Sequence, residues 1–338
     1  MNGRGLTGLA NLGNTCFINS TIQCLSHTKP FNDYLNTNNY KDKLNKKPES
    51  LLLIEWDKLR RMMWSEDCTI SPGGFIQAVQ RVANLKNKSL FTGWAQNDLP
   101  EFLLFVIDCF HNSICRKVEM NITGTVKNSK DILAKKCYEM MQNMYKNEYS
   151  EVLKMFYGIH VSQICSIEGD VLSANPEPYF MIDLPIFNRE CNIMECFDKY
   201  TEKERLDGDN KWLNEKTNKK ETVDKGIAFW SFPDILVIDF KRFSNHNRKN
   251  QNMVHFPREN LDLTKYVVGY NKDSYKYDLY GICNHTGSVQ GGHYFAYVKV
   301  NDTEWFEFND TNVTKLNDAE NKVHSPMAYC LFYKKNNN

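Results

Sequence analysis

The chain has 338 residues, of which 41% are hydrophobic and 25% are charged, and its formal net charge is +1. This composition is typical of a globular chain that folds around a large core in one or two units. Because the charges nearly cancel, we expect no general affinity for nucleic acid or for anionic membranes, so a local site must recognise any partner.

Cys16 lies where a turn-prone segment passes into a predicted helix. Residues 8–15 are rich in glycine and asparagine, and apolar residues on one helical face follow at Phe17, Ile18, Ile22 and Leu25. At a helix N-terminus, unpaired N–H groups and the positive end of the helix dipole favour the thiolate over the thiol. The pattern therefore predicts that Cys16 is a nucleophile, and a buried structural cysteine is the alternative for this residue taken alone.

The next elements are predicted to be helical up to about residue 150 and extended from residue 158 onward. Apolar residues recur at helical spacing at Leu52, Trp56, Leu59 and Met63. Ser71-Pro72 and Asp98-Leu99-Pro100-Glu101 predict two helix starts, because each places a proline just after an N-cap residue. Alternating apolar residues, as in 236–240, predict strands, and the polar segment 200–224 predicts an exposed loop or hairpin tip.

A predicted β-hairpin near the end of the chain carries His293. Pairing of its strands brings His293 towards Asn309 and Asp310, and either could hold the imidazole while its other nitrogen faces a thiol. Side chains alternate across a strand, so the turn length decides which of the two faces His293, and the sequence leaves both open. A structural histidine is the alternative for this position taken alone. The two strands and the turn are Gly291–Val298, Trp305–Asp310 and Asn301-Asp302.

The cysteines and the apolar segments bear on the cellular compartment. The chain has eleven cysteines, an odd number without regular spacing, and it is long enough to fold without disulfides. Residues 1–6 lack the apolar region of a signal peptide, and the most apolar run, 102–110, is too short to span a bilayer. We therefore expect reduced thiols, a cytoplasmic or nuclear location and no membrane insertion.

Five segments resemble, in the same order, the motifs of the ubiquitin-specific proteases, which are papain-like deubiquitinating enzymes. They are a cysteine box at 8–25, a Gln-Gln-Asp element at 96–103, a palm strand at 232–243, a histidine box at 291–298 with 305–310, and a closing strand at 328–333. The resemblance implies one α+β catalytic domain over 1–338, shaped like a hand. Its mainly helical thumb would be 1–150, its fingers 151–230 and its mostly antiparallel palm 231–338, with the active site between thumb and palm.

The resemblance also implies the role of each site residue. Cys16 would be the nucleophile, His293 the general base and acid, Asn309 the usual third member and Asp310 an assisting neighbour. Asn11 matches the amide that donates to the oxyanion, where a donor stabilises charge as it develops. The implied reaction is thiolate attack on the carbonyl of ubiquitin's C-terminal glycine, release of an amine, and hydrolysis of the thioester, without a cofactor.

Substrate recognition can be inferred in the same way. Gly291, Gly292 and Tyr294 would line a narrow cleft for the ubiquitin tail, Leu-Arg-Leu-Arg-Gly-Gly, and Asp98 would pair with a tail arginine. Asp98 and Glu101 also resemble a helix capping box, so capping is the alternative role for Asp98. The implied partners are ubiquitin and ubiquitinated proteins, and we expect a monomer.

Two departures from the family pattern stand out. Many relatives bind zinc in the fingers through two Cys-x-x-Cys pairs, but here the first pair reads Cys165-Ser166-Ile167-Glu168 and the second region, 210–215, has no cysteine. Cys191 and Cys196 lie nearby in the sequence without restoring this spacing, so we expect no metal. The palm strand also carries Asp239 where relatives often have histidine.

Three other functions compete with deubiquitination. A ubiquitin-binding pseudoenzyme would typically have lost the cysteine or the histidine, and both are present here. A general papain-like peptidase would lack the elements at 96–103 and 232–243. A protease for another ubiquitin-like modifier remains an alternative, and neither the linkage preference nor the protein substrates can be inferred from the sequence.

Overall fold

The helices lie mainly in the first half of the chain. A computed structural model describes residues 4–243, 248–288, 291–301 and 303–336. The helices in these ranges are α1 (Cys16–Ser26), α2 (Lys29–Asn36), α3 (Glu49–Met63), α4 (Gly73–Leu85), α5 (Leu99–Ile114), α6 (Ser129–Glu148), α7 (Glu151–Phe156), α8 (Ile193–Thr201) and α9 (Ala319–Lys322).

The strands lie mainly in the second half. They are β1 (Gly8–Leu9), β2 (Thr69–Ile70), β3 (Gly158–Cys165), β4 (Val171–Tyr179), β5 (Met181–Leu184), β6 (Cys191–Asn192), β7 (Glu204–Leu206), β8 (Trp212–Asn214), β9 (Lys219–Glu221), β10 (Val223–Ser231), β11 (Ile235–Phe240), β12 (Val254–His255), β13 (Leu261–Asp262), β14 (Lys276–Ser288), β15 (Gly291–Val300), β16 (Glu304–Asn309), β17 (Asn312–Lys315) and β18 (Ala328–Lys335). Helices followed by mostly antiparallel strands confirm the predicted α+β class.

Two sheets dominate the strand-rich half. The larger one, called the palm sheet here, has the strand order β17-β16-β15-β14-β18-β11-β5, with β13 paired to β14. The smaller one, the finger sheet, has the order β4-β3-β10-β7. The palm sheet is antiparallel except where β5 runs parallel to β11. The predicted hairpin is β15–β16, with Asn301 in the left-handed region at φ 53°, while Asp302 lies outside the described residues.

The palm sheet separates two hydrophobic cores. On one side lies a core that the sheet shares with α1, α3, α4 and α5, and on the other lies a core that it shares with α8 and the segments around β12 and β13. Strand β11 shows the division, because Ile235 and Val237 belong to the first core and Leu236 and Ile238 to the second. Helix α1 lies in the first core against β14 and β15, so the start of α1 reaches the palm sheet directly.

Several sequence predictions hold and others need correction. The periodic residues of α3 are buried, and α5 begins at Leu99 as predicted. Helix α4 begins at Gly73 with Pro72 in the cap position and no side-chain cap, so Ser71 is not its N-cap. Strand β5 lies within the predicted finger range, yet it pairs with β11 in the palm sheet. No helix in the described parts of the chain is both long and apolar enough to cross a membrane.

Candidate active site

The thiol of Cys16 lies at the junction of α1 and the palm sheet. Cys16 is the first residue of α1 and is only 2% exposed, and its sulfur faces the backbone N–H of Tyr294 in β15. Burial raises the pKa of this thiol, and the charge of Asp310 raises it further, while the N–H groups of Tyr294 and Phe17 lower it. The sequence predicted that Cys16 prefers the thiolate form, and this prediction is wrong here. Burial raises the pKa of the thiol more than the N–H groups lower it, so a base has to remove the proton.

His293 immediately precedes Tyr294 and is oriented by Asn309. The Nε2 atom of His293 lies 2.7 Å from Oδ1 of Asn309, the last residue of β16. Because an amide oxygen can only accept, Nε2 carries the proton of this bond, and Nδ1 is left as the basic nitrogen of the neutral ring. His293 is next in the chain to Tyr294, whose N–H faces the Cys16 sulfur, so an imidazole held by one nitrogen on this strand segment is the candidate general base.

Asp310 contacts different residues from Asn309. It follows β16 in a tight turn with a left-handed φ of 52°, and β17 begins two residues later. Its Oδ2 accepts a hydrogen bond from Nδ2 of Asn11 at 2.9 Å, and its Oδ1 accepts one from Nδ2 of Asn19 at 2.8 Å. The ambiguity between the two neighbours is thereby resolved geometrically: Asn309 reaches His293, and Asp310 reaches the segment that carries Cys16.

Asn11 is held at both ends of its amide. Its Oδ1 accepts hydrogen bonds from the N–H groups of Gly13 and Thr15 at 3.1 and 3.2 Å, and its Nδ2 donates to Asp310. The second hydrogen of this Nδ2 has no acceptor within the described part of the chain. An amide fixed in this way next to Cys16 can donate to a developing oxyanion without rearranging.

Asp98 accepts hydrogen bonds from tyrosines rather than capping α5. It is the N-cap residue of α5, but its side chain makes no cap hydrogen bond, so the capping-box alternative is wrong. Its Oδ1 accepts from the hydroxyls of Tyr329 at 2.8 Å and Tyr294 at 3.4 Å, which join the helix start to the palm sheet. Removal of water raises the pKa of the Asp98 carboxyl, and the two hydroxyls offset part of that rise.

The glycine pair at the start of β15 is tied to the loop before α5. Nε2 of Gln96 donates to the carbonyl of Gly292 at 2.8 Å, and the N–H of Gly292 donates back to Oε1 of Gln96 at 3.2 Å. Gln96 and Asn19 had no predicted role. Asn19 lies one turn from Cys16 and is buried, but only the structure shows this burial, and Gln23 on the same helix face is buried and polar as well.

The predicted finger range, 151–230, contains scattered thiols. The Sγ atoms of Cys191 and Cys196 lie 3.7 Å apart, and Cys165 Sγ accepts from Nζ of Lys203 at 3.8 Å. Across residues 4–243, 248–288, 291–301 and 303–336, no group of three or more His, Cys, Asp or Glu side chains is arranged to hold a metal ion. The absence of zinc in the protein stays a prediction.

Comparison with known proteins places the chain among relatives of one kind. The family profile described as ubiquitin carboxyl-terminal hydrolase matches residues 7–333. Ubiquitin carboxyl-terminal hydrolase 2 of Bos taurus is 33% identical over 98% of this chain and 55% of its own length, and the Gallus gallus protein of that name is 34% identical over 98% and 93%. The chain thus spans about half the length of the bovine relative.

Solved structures share the fold. A SAGA DUB module with Ubp8, Sgf11, Sus1 and Sgf73, bound to monoubiquitin, aligns with a TM-score of 0.76 at 24% identity and covers 99% of this chain and 70% of the matched chain. The same module bound to ubiquitin aldehyde aligns with a TM-score of 0.75 at 24% identity, with the same coverage of both chains.

Proposed function

The chain belongs to the ubiquitin carboxyl-terminal hydrolase family, as its resemblance to the ubiquitin-specific proteases predicted, and on this premise we propose that it is a thiol-dependent deubiquitinase. It hydrolyses the isopeptide or peptide bond after the C-terminal glycine of ubiquitin. One observation carries the proposal. Nε2 of His293 lies 2.7 Å from Oδ1 of Asn309, and this contact orients the imidazole on the strand segment whose next residue, Tyr294, faces the Cys16 sulfur.

Each step of the proposed reaction is assigned to a named group. Nδ1 of His293 takes the proton of Cys16, and the thiolate attacks the carbonyl carbon of ubiquitin's C-terminal glycine. The imidazolium then donates its proton to the leaving amine, and the thioester forms. Water, activated by the same imidazole, hydrolyses the thioester and releases ubiquitin and free Cys16.

Charge on the carbonyl oxygen is stabilised by the segment before α1. Asn11 is oriented by Asp310 and by the loop N–H groups, so its free N–H donates to the oxyanion when the tetrahedral intermediate forms. Because the donor is fixed before the reaction, little reorganisation energy is required. Asn309 acts through His293, by holding the ring in the tautomer that accepts the thiol proton.

The decisive experiment uses ubiquitin that carries a C-terminal fluorophore. We expect the wild-type protein to release the fluorophore, and Cys16→Ser to abolish release while keeping ubiquitin binding, because the serine hydroxyl is not activated in this environment. Cys68→Ser is the matched control and should retain activity. Binding without release by the wild type would support the pseudoenzyme alternative, and cleavage by Cys16→Ser would refute the assignment of the nucleophile.

Partner and compartment follow as further parts of the proposal. Ubiquitin and ubiquitinated proteins are the substrates, supported by the related module that was solved with monoubiquitin bound. Fluorophore conjugates of other ubiquitin-like modifiers, tested side by side, distinguish a protease for one of them. We infer a monomer, and a reducing cytoplasmic or nuclear compartment agrees with the eleven cysteines, all of which are free thiols.

A further inference from the structure

Asn19 is a buried polar residue of α1, one turn after Cys16. It is 3% exposed, and its Oδ1 is buried without a hydrogen-bond partner among the described residues. A buried amide oxygen without a partner costs free energy that an apolar side chain of similar size would avoid. A reason for asparagine at this position therefore has to come from the other polar atom of the amide, Nδ2.

The Nδ2 atom of Asn19 contacts two chain segments that meet beside the oxyanion donor. It donates to Oδ1 of Asp310 at 2.8 Å and lies 3.4 Å from the carbonyl oxygens of both Leu9 and Ala10. Ala10 directly precedes Asn11 in the chain. The N–H of Leu9 in turn donates to the backbone carbonyl of Asp310 at 2.8 Å. One amide nitrogen thus joins the turn at Asp310 to the segment after β1 that carries Asn11.

The carboxylate of Asp310 is held between two amides. Its Oδ1 accepts from Asn19, and its Oδ2 accepts from Nδ2 of Asn11 at 2.9 Å. Asp310 is partly exposed, so water replaces the Asn19 donor once that side chain is removed. A carboxylate that the protein fixes at one oxygen only is free to rotate, and the amide of Asn11 then loses the fixed direction in which it donates to the oxyanion.

We propose that Asn19 is a positioning residue for the oxyanion donor. It holds Asp310 through the oxygen that Asn11 leaves free, so that the amide of Asn11 is oriented before the substrate carbonyl arrives. This inference rests on the proposed function for the reaction in which the donor acts. Its effect belongs in kcat rather than in KM, because the oxyanion forms only during the reaction.

Gln23 is a matched control on the same helix. It lies one turn beyond Asn19, is 1% exposed, and its Oε1 also lacks a hydrogen-bond partner among the described residues. Its Nε2 donates to the backbone carbonyl of Thr7 at 2.8 Å, whereas the amide of Asn19 donates to Asp310. The two residues therefore share burial and chemistry, and they differ in whether they bond to the carboxylate that orients Asn11.

The test is a double-mutant cycle on the release of a fluorophore from the C-terminus of ubiquitin. Asn19→Leu and Asn11→Ala are measured singly and together. We expect Asn19→Leu to lower kcat about 10- to 100-fold and to change KM less than about 3-fold, because it weakens the oxyanion donor alone. In the protein that already carries Asn11→Ala, Asn19→Leu should lower kcat by less than about a further 3-fold, because the donor that it positions is gone.

The control variant separates a positioning role from a structural one. Gln23→Leu leaves the carbonyl of Thr7 without its donor, so we expect Asn19→Leu to melt no lower than Gln23→Leu while losing far more of its kcat. An unchanged kcat in Asn19→Leu, the same loss in Gln23→Leu, or equal losses with and without Asn11→Ala would refute the proposal. If Asn19→Leu does not fold, Asn19→Ala, whose side chain is too small to overpack the site, decides the question in the same cycle.

A second measurement does not depend on turnover. The side-chain amide of Asn11 gives signals in a proton–nitrogen correlation spectrum, which are assigned by their loss in Asn11→Ala. We expect these signals to shift in Asn19→Leu and to stay in place in Gln23→Leu, because only the first change releases Asp310. If the wild type releases no fluorophore, the proposed function fails, and the spectrum alone decides whether Asn19 positions the amide. Signals that stay in place in Asn19→Leu would refute the inference in either case.

Discussion

Asn309 and Asp310 are neighbours in the chain with separate roles at the site. Asn309 bonds to His293, whereas Asp310 bonds to Asn11 and Asn19 and places a negative charge near Cys16. Their substitutions should therefore differ in kind. Loss of Asn309 releases the imidazole, and loss of the Asp310 charge changes both the oxyanion donor and the ionisation of the thiol.

We predict that Asn309→Ala lowers kcat by about 10²- to 10⁴-fold, the range for a misoriented general base. Asp310→Asn should lower kcat by about 10- to 10³-fold through the oxyanion donor. It should also move the midpoint of Cys16 alkylation by iodoacetamide to lower pH, because removing a negative charge favours the thiolate. The measurements are fluorophore release and alkylation rate as functions of pH.

The opposite order would reassign the third catalytic residue. If Asn309→Ala keeps most of its activity while Asp310→Asn loses it, Asp310 is the dominant partner of the triad. An alkylation midpoint that stays constant or rises in Asp310→Asn would contradict the electrostatic role given to Asp310.

At the scale of elements, the close approach of β14 and β15 explains the glycine pair. A Cβ atom at Gly292 would lie 2.2 Å from Nε2 of His285 and 2.3 Å from the carbonyl of Thr286, so no side chain fits there. At Gly291 the nearest atom, Oε1 of Gln96, would be 3.8 Å away, which is ordinary contact. The close approach of the strands therefore favours glycine at position 292, whereas position 291 has room for a methyl group.

We predict that Gly292→Ala destabilises the protein by about 1–3 kcal/mol, the usual cost of overpacking. The melting temperature should fall by about 2 °C or more. Gly291→Ala is the matched control and should melt within about 1 °C of the wild type. Thermal unfolding monitored by circular dichroism distinguishes the two, and equal shifts would contradict the predicted overpacking at Gly292.

At the scale of the whole molecule, an ion cluster around Glu151 joins distant parts of the helical region. Its carboxylate accepts hydrogen bonds from Arg116 at 2.8 and 3.0 Å, from Lys43 at 2.7 Å and from Tyr34 at 3.2 Å. Burial alone would raise the pKa of Glu151, but the bonds from Arg116 and Lys43 outweigh it and lower the pKa to about 2. The cluster thus stabilises the fold while Glu151 is ionised.

We predict that Glu151→Gln lowers the free energy of unfolding at pH 7 by on the order of 2 kcal/mol. A lowered folded-state pKa stabilises the protein above the unfolded-state pKa, and this contribution is lost as the pH falls from about 4.5 to about 2. The difference between variant and wild type should therefore shrink over that window. Glu320→Gln, at an 83% exposed side chain, is the control, and a pH-independent difference would rule out the ionic contribution.

The sequence by itself determined the class of the fold and the family, and it predicted Cys16 and His293 as the two reactive residues. Helical periodicity and alternation are local signals, so the order of helices and strands could be predicted, and the motifs around Cys16 and His293 identified the family. The predicted start of α5 at Leu99 is also correct. It too rests on a local signal, because a proline in the first turn of a helix affects the backbone of only the nearest residues.

Only the tertiary structure decided which side chains meet. The turn at Asp310 turns this residue towards Asn11, which is 299 positions away in the chain, and no local pattern encodes that contact. The partners of Asp98 and Asn19 likewise depend on strand register and on how α5 and α1 pack against the palm sheet. Such contacts depend on the packing of distant elements, because a short-range pattern fixes the direction of a side chain only relative to its own element.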